Sequence, residues 1–127
     1  MIERKNKMKL YFYILDSKQE FNAETRTFGK PIFQMKCEEC EVVENPKTYK
    51  PVDKFPKEVH RSFIHKRAVG GFLDDYGEIV VLDERNYEKA KERFLNNYNY
   101  NIKKLKEKLS TYENMIAAVE VGEENCK

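Results

Sequence analysis

Apolar and polar residues recur with two different periods in this chain, and the change of period divides it into two parts. Residues 8–16 alternate with a period of about two, which is typical of a β-strand. Both sides of this strand are apolar, one formed by Met8, Leu10, Phe12 and Ile14 and the other by Tyr11, Tyr13 and Leu15. A strand with two apolar sides is predicted to lie at the centre of a sheet or at an interface.

Residues 32–44 predict a second strand, which a long polar hairpin loop over residues 17–30 joins to the first. The apolar positions change phase at residues 38–39, and we therefore predict a β-bulge there. The positions before and after the change are Phe33, Met35 and Cys37, then Cys40 and Val42.

Shorter elements are predicted in the middle of the chain. Residues 47–52 are typical of an edge strand, because Pro51 has no N–H to donate to a neighbour. Residues 58–68 fit a helix or a strand, and we favour the strand. Residues 69–74 and 78–82 flank a glycine-containing turn and predict a hairpin.

The last third predicts one long amphipathic helix, capped by Asp83 or Asn86. Its apolar residues follow the heptad spacing of a coiled coil, at Ile102, Leu105, Leu109, Tyr112, Ile116 and Val119. A helix over residues 84–119 would be roughly 50 Å long, whereas a chain of this length has a radius of gyration of about 14 Å. We therefore expect the helix to pair with a second subunit. The asparagine-rich stretch 95–101 allows a continuous helix with a polar face, or a kink or helix-turn-helix at residues 96–100.

Together these elements predict an α+β fold, in which a small antiparallel twisted β-sheet is followed by a long C-terminal helix or helical hairpin that mediates oligomerisation. We expect a β-rich core domain over residues 1–83 and a helical oligomerisation segment over residues 84–127, both within one compact unit.

Composition narrows the class of protein. Charged residues make up 36% of the chain, yet the net charge is only +2. This balance argues against an acidic DNA mimic and against general nucleic-acid binding. No apolar run approaches the length of a membrane span, and three cysteines in a chain of this kind indicate free thiols and a cytoplasmic location.

A concentration of positive charge at residues 60–67 is the main candidate site. Arginine forks match phosphate oxygens, a glycine pair at residues 70–71 lets backbone N–H groups approach an anion, and a phenylalanine ring can stack on a base. An asparagine amide of the stretch 97–101 can read a purine edge, and Arg85 is a less natural further contributor. We predict a nucleotide site formed by Arg26, His60, Arg61, His65, Lys66, Arg67, Gly71, Phe72 and Asn99. The alternatives are a solvated edge strand for residues 60–67 and a polar layer between helices for the asparagines.

Other chemistry has weaker signals. Cys37, Cys40, His60 and His65 are zinc-ligand types, but their spacing departs from the finger pattern, so we predict no metal and no cofactor. The chain contains neither a nucleophile elbow nor a phosphate loop, and we predict that it is not an enzyme.

Three stretches together carry a resemblance to a known family: MKLYFYILD (8–16), CEECEVVENPKTYKPV (37–52) and DYGEIVVLDERNYEKAKERF (75–94). Their layout resembles that of the phage-encoded anti-Thoeris sponge proteins of the first type. The resemblance implies a non-enzymatic homo-oligomer, in the cytoplasm of an infected bacterium, that sequesters a cyclic ADP-ribose isomer made by TIR-domain defence enzymes. It supplies no binding residue by position. The alternative is a phage inhibitor that binds a host or CRISPR protein through its helical face.

Overall fold

The computed structural model of the protein describes residues 6–74 and 76–126, and its elements are eight strands and two helices. The strands are β1 (Lys7–Lys18), β2 (Phe21–Asn22), β3 (Thr27–Phe28), β4 (Ile32–Glu44), β5 (Thr48–Pro51), β6 (Ile64–His65), β7 (Gly71–Phe72) and β8 (Ile79–Leu82). A short 3-10 helix covers Lys66–Ala68, and the long helix α1 covers Tyr87–Cys126.

Six strands form one antiparallel sheet in the order β6-β5-β4-β1-β8-β7, and β2 pairs with β3 in a separate ribbon. Short connections join β4 to β5 and β7 to β8 and turn the chain back beside itself, whereas β8 reaches β1 from a distant part of the chain. The predicted α+β layout, a sheet followed by a long C-terminal helix, is confirmed.

The central position predicted for the first strand is also confirmed, because β1 lies between β4 and β8. Its even-numbered residues form what we call the core face of the sheet. Leu10 and Phe12 on this face have no exposed surface, and the ring of Phe12 meets that of Phe55 edge-on at 5.7 Å. Val42 of β4 and Val81 of β8 are equally buried, so the three central strands supply most of the hydrophobic core.

The bulge predicted in β4 is wrong. Pairing with β1 is continuous from Lys7 opposite Val43 to Lys18 opposite Ile32, with no inserted residue. The change of phase has another cause: the second half of β4 turns Cys40 and Val42 to the core face, whereas the first half turns Met35 and Cys37 to the opposite face. Both faces of the strand carry apolar residues, but at different points along it.

The first turns of α1 contribute to that opposite face, which we call the helix face. Phe72 pairs with Val80, which pairs with Tyr13, so these three side chains share the face. The ring of Phe94 meets that of Phe72 edge-on at 5.3 Å, and Ala90 and Phe94 are buried. The side-chain oxygen of Asn86 accepts a hydrogen bond from the backbone N–H of Lys89 at 3.0 Å, which confirms Asn86 as the helix cap.

Three local predictions need correction. Residues 58–68 contain only the two-residue strand β6 and the 3-10 helix rather than one longer strand, and β6 pairs with β5, so β5 is not an edge strand. The predicted loop 17–30 contains strand structure, because β1 extends into it as far as Lys18 and β2 and β3 continue the hairpin. The predicted β7–β8 hairpin is confirmed, although its residue Asp75 lies outside the described residues.

The helix α1 continues through the asparagine-rich stretch, so the predicted alternatives of a helix-turn-helix there and of a C-terminal helical hairpin are wrong. By compactness the chain divides at Phe94, and residues from Leu95 onward form a second unit. The six residues of the heptad stripe are all exposed, from 48% for Ile102 to 76% for Val119. Unlike the apolar residues of the sheet, those of the stripe are therefore exposed in the described part of the chain.

Candidate functional site

A cavity of about 470 Å³ opens beside the part of β1 that extends past its pairing with β8. Buried apolar side chains line part of it, namely Ile14, Val59, Leu73 and Ile79. Two of the predicted site residues, His60 and Arg61, line it as well, and so does Tyr76, whose side chain is 83% exposed. Its volume lies in the range of about 300–1,000 Å³ that is usual for small-molecule sites.

The cavity is shaped by two segments that are tied to each other. The guanidinium Nη2 of Arg61 donates a hydrogen bond to the backbone oxygen of Leu73 at 3.0 Å. In the β7–β8 turn, Oδ1 of Asp74 accepts hydrogen bonds from the backbone N–H groups of Glu78 and Ile79 at 3.1 and 3.3 Å. Gly77 has a φ of 72°, a conformation that glycine adopts without strain. The hairpin turn and the segment around Arg61 therefore hold the two walls in place.

Four carboxylates dominate the charge of the cavity. Asp16, Glu58, Asp74 and Glu78 line it together with one guanidinium, so with His60 neutral its formal charge is −3. Acidic side chains such as these accept hydrogen bonds from sugar hydroxyls and amino groups, as in the ribose contact of dinucleotide-binding proteins. Among the described residues that line the cavity, the side chains with N–H donors for an anion are Arg61 and His60.

Glu58 is the most tightly held of these carboxylates. Its Oε1 accepts a hydrogen bond from Lys36 Nζ at 2.5 Å, while its Oε2 is buried with no hydrogen-bond partner among the described residues. Burial is the largest single influence and raises the pKa of Glu58, but the hydrogen bond from Lys36, a backbone hydrogen bond and the charges of nearby lysines together lower the pKa below its usual value. Glu58 therefore stays ionised near neutral pH.

The other basic residues of the 60–67 segment do not line this cavity. Lys66 Nζ pairs with Glu44 Oε1 at 2.7 Å and lies 5.5 Å from the centre of the Tyr49 ring. The ring of His65 meets Phe63 edge-on at 5.4 Å, and Arg67 is exposed on the 3-10 helix. The positive charge of Lys66 is thus partly neutralised by a carboxylate, which leaves less of it for a phosphate.

The predicted residues outside that segment lie elsewhere. Arg26 sits in the β2–β3 turn with a φ of 55°, beyond the Ile32 end of β4, whereas Glu44 and its partner Lys66 are at the other end of this 13-residue strand. A strand of that length spans roughly 40 Å. Gly71 is a paired residue of β7, and Phe72 packs on the helix face.

Asn99 belongs to the second unit, where it lines a depression on α1 together with Ile102 and Lys103. The structure therefore brings together two predicted residues, His60 and Arg61. Arg85, the further contributor considered from the sequence, lies 5.3 Å from the centre of the Tyr11 ring and within 3.4 Å of Glu39.

Sequence reasoning missed most of the cavity. Asp16, Glu58, Tyr76 and Glu78 come from three separate stretches of chain, and no spacing in the sequence links them. The sequence places Asp74 in the hairpin segment 69–74, and its DDYG setting favours a turn over a pair of functional carboxylates. Acidic residues around a basic segment are a usable signal only when the fold shows which of them face the same space.

The zinc alternative finds no support in the geometry. Because β4 has no bulge, Cys37 and Cys40 lie on opposite faces of the strand, the first exposed and the second buried. Among the described residues no group of three or more histidine, cysteine or acidic side chains is placed to hold a metal ion.

No protein-family model matches this chain, and no curated protein or solved structure shows significant similarity to it. No helix in the described part of the chain is both long and apolar enough to cross a membrane.

Proposed function

We propose that this protein binds a cyclic nucleotide of the ADP-ribose type and holds it without chemical change, which withdraws the signal from a bacterial defence system. The observation that supports this proposal best is the cavity beside Arg61, whose volume of about 470 Å³ suits a ligand of that size. The resemblance of the three sequence stretches to phage anti-Thoeris proteins supports the same function, with the cytoplasm of an infected bacterium as its location.

The chemistry of the cavity suggests how such a ligand would lie. Ribose hydroxyls and the adenine amino group are donors, and they would meet Asp16, Asp74 or Glu78. The phosphates would be kept away from these carboxylates and would take hydrogen bonds from Arg61 and His60. Tyr76 offers an exposed ring on which the base can stack.

Retention and release of the intact ligand test this proposal. The protein is incubated with the cyclic ADP-ribose isomer and filtered, and the retained fraction is then heat-denatured and analysed by mass spectrometry. We expect the ligand to be depleted from the filtrate and recovered at its original mass. Recovery at a changed mass would indicate an enzyme, and an undepleted filtrate would refute binding.

A matched pair of arginine variants locates the site. Arg61 lines the cavity and Arg67 does not, although both are exposed and lie in the same segment. Arg61→Ala should weaken binding by at least ~10-fold, because a hydrogen bond to a charged group contributes about 1.5–3 kcal/mol. Arg67→Ala should change it less than about twofold, since it removes no cavity contact. Thermal unfolding of both variants controls for the lost bond from Arg61 to Leu73.

A second candidate function is inhibition of a host or CRISPR protein through α1, and the exposed heptad stripe favours it. The two functions differ in what the stripe does in the isolated protein. In the first, the stripe joins copies of this chain into an oligomer. In the second it stays free, so sedimentation at micromolar concentration would show a monomer.

A further inference from the structure

The exposed stripe on α1 carries a further inference, which concerns the orientation of the paired helices and depends on the self-assembly included in the proposed function. Leu105, Leu109 and Ile116 are 66, 58 and 58% exposed, far above the near-zero values of the sheet core. Six such side chains in heptad spacing form a continuous apolar strip along one side of the helix. A second helix with the same strip is the simplest surface of matching shape.

Charge is unevenly distributed along the helix segment 95–126. Its first half, residues 95–110, contains four lysines and one glutamate and has a formal charge of +3. Its second half, residues 111–126, contains four glutamates and no basic residue and has a formal charge of −4. The midpoint of the charge pattern is also the midpoint of the stripe.

This distribution is unfavourable for a helix alone. The C-terminal end of a helix carries a partial negative charge, so it favours lysine and arginine. The last turn of α1 has no basic residue, and acidic residues lie in its final turns instead. A partner helix in the opposite direction places its basic half beside these acidic residues.

We propose that residues 95–126 of two copies pair in antiparallel register about the point between Ser110 and Thr111. This register places Ile102 against Val119 of the second copy, Leu105 against Ile116, and Leu109 against Tyr112. Every stripe residue then faces another stripe residue, and each basic half lies beside an acidic half.

The positions next to the stripe favour the same orientation. Lys106 and Glu113 occupy equivalent heptad positions, and the antiparallel register places Lys106 beside Glu113 of the second copy. A parallel pair would instead place Lys106 beside Asn101 and Glu113 beside Lys108. It would also place the two +3 halves together and the two −4 halves together, which is repulsive along the whole length.

Cysteine cross-linking distinguishes the two orientations, because Cys126 is a native exposed thiol at the end of the segment. Cys37→Ser removes the other exposed thiol, and Cys40 is buried. In the antiparallel register two copies of Cys126 are roughly 45 Å apart, whereas position 95 of one copy is next to Cys126 of the other. In a parallel pair the two Cys126 thiols are neighbours.

The full-length protein is tested as Cys37→Ser, as Cys37→Ser with Leu95→Cys, and as Cys37→Ser with Leu95→Cys and Cys126→Ser. After mild oxidation we expect a covalent dimer only for the second protein. Peptide mapping should then show the link between positions 95 and 126.

A disulfide between two Cys126 residues would overturn the antiparallel register while leaving assembly intact. A dimer that forms no cross-link in any of the three proteins would overturn the register as well. A monomer by light scattering would overturn the inference together with the proposed assembly. Ligand retention by the cavity is measured separately, so its outcome does not depend on this experiment.

Discussion

The sheet unit, which ends at Phe94, and the helix segment 95–126 differ in the exposure of their apolar side chains. Leu10, Phe12 and Val42 in the sheet have no exposed surface, whereas the six stripe residues of α1 are each about half exposed or more. Both regions have a clear apolar period in the sequence. The comparison shows that a period indicates which residues share a face, but it does not show whether the same chain covers that face.

Charged residues show the same contrast. In the sheet unit, several ion pairs join residues that are distant in sequence, such as Lys36 with Glu58 and Lys66 with Glu44. On α1, Lys104 pairs with Glu107 at 3.7 Å, a local contact within one turn of the helix. We infer that these charges of the sheet unit stabilise its own fold and that those of the helix act between copies.

Truncation of a core side chain should have the largest effect on the stability of the sheet. Phe12→Ala removes a fully buried ring that packs on Phe55, so it should lower the free energy of unfolding by about 3–5 kcal/mol. Urea denaturation followed by circular dichroism measures this loss. Leu109→Ala is the control, and it should leave the unfolding midpoint of the sheet unchanged. Equal losses for the two variants would contradict the contrast between the regions.

Truncation in the stripe should affect association instead. Leu105→Ala or Ile116→Ala should weaken self-association by about 2 kcal/mol or more, roughly 30-fold, because each removes a side chain that pairing would bury. Sedimentation velocity over a range of concentrations measures it. Ser110→Ala, off the stripe, should leave association unchanged, and a stripe that tolerates both alanines would not be an interface.

The Lys36–Glu58 pair makes the sheet sensitive to acid. Because the folded state lowers the pKa of Glu58, it binds fewer protons than the unfolded state near the usual pKa of about 4.3. The stabilisation is therefore present above that pH and is lost as pH falls through the lower, folded-state pKa. Glu58→Gln should cost about 1–2 kcal/mol at pH 7 and reduce the acid dependence, as measured by urea unfolding at several pH values. An identical pH profile for wild type and variant would refute this role.

Charge reversal on α1 should have the smallest effect on association, and it tests the orientation of the paired helices. Lys106→Glu and Glu113→Lys should each weaken the dimer by about 0.5–1 kcal/mol, and the double variant should restore it. In a parallel pair the double variant would stay weakened, since the lysine introduced at position 113 would face Lys108 of the second copy. The antiparallel wild type should also dissociate more readily as salt is raised, because salt screens attraction between the halves.

The cavity shows the limits of sequence reasoning for the candidate site. The basic segment 60–67 can be recognised from the sequence, because five of its eight residues carry basic side chains. Whether it forms a solvated edge strand or a binding site depends on which distant residues its side chains contact. Lys66 pairs with Glu44, 22 residues away, and Arg61 donates a hydrogen bond to the backbone of Leu73, 12 residues away. The prediction of a bulge in β4 is wrong for a similar reason. A strand whose two faces are buried at different points along its length shows the same change of apolar phase as a strand with a bulge.

Local patterns in the sequence are enough to predict the central strand, the β7–β8 hairpin, a helix cap at Asp83 or Asn86 and the stripe on α1. These depend on periods and turn residues that act over a few positions. The three-dimensional fold establishes that Arg61 shares a cavity with Asp16 and Glu58, while Lys66 pairs with Glu44 at the other end of β4. Such choices depend on contacts between distant stretches, and those contacts exist only once the strands have paired.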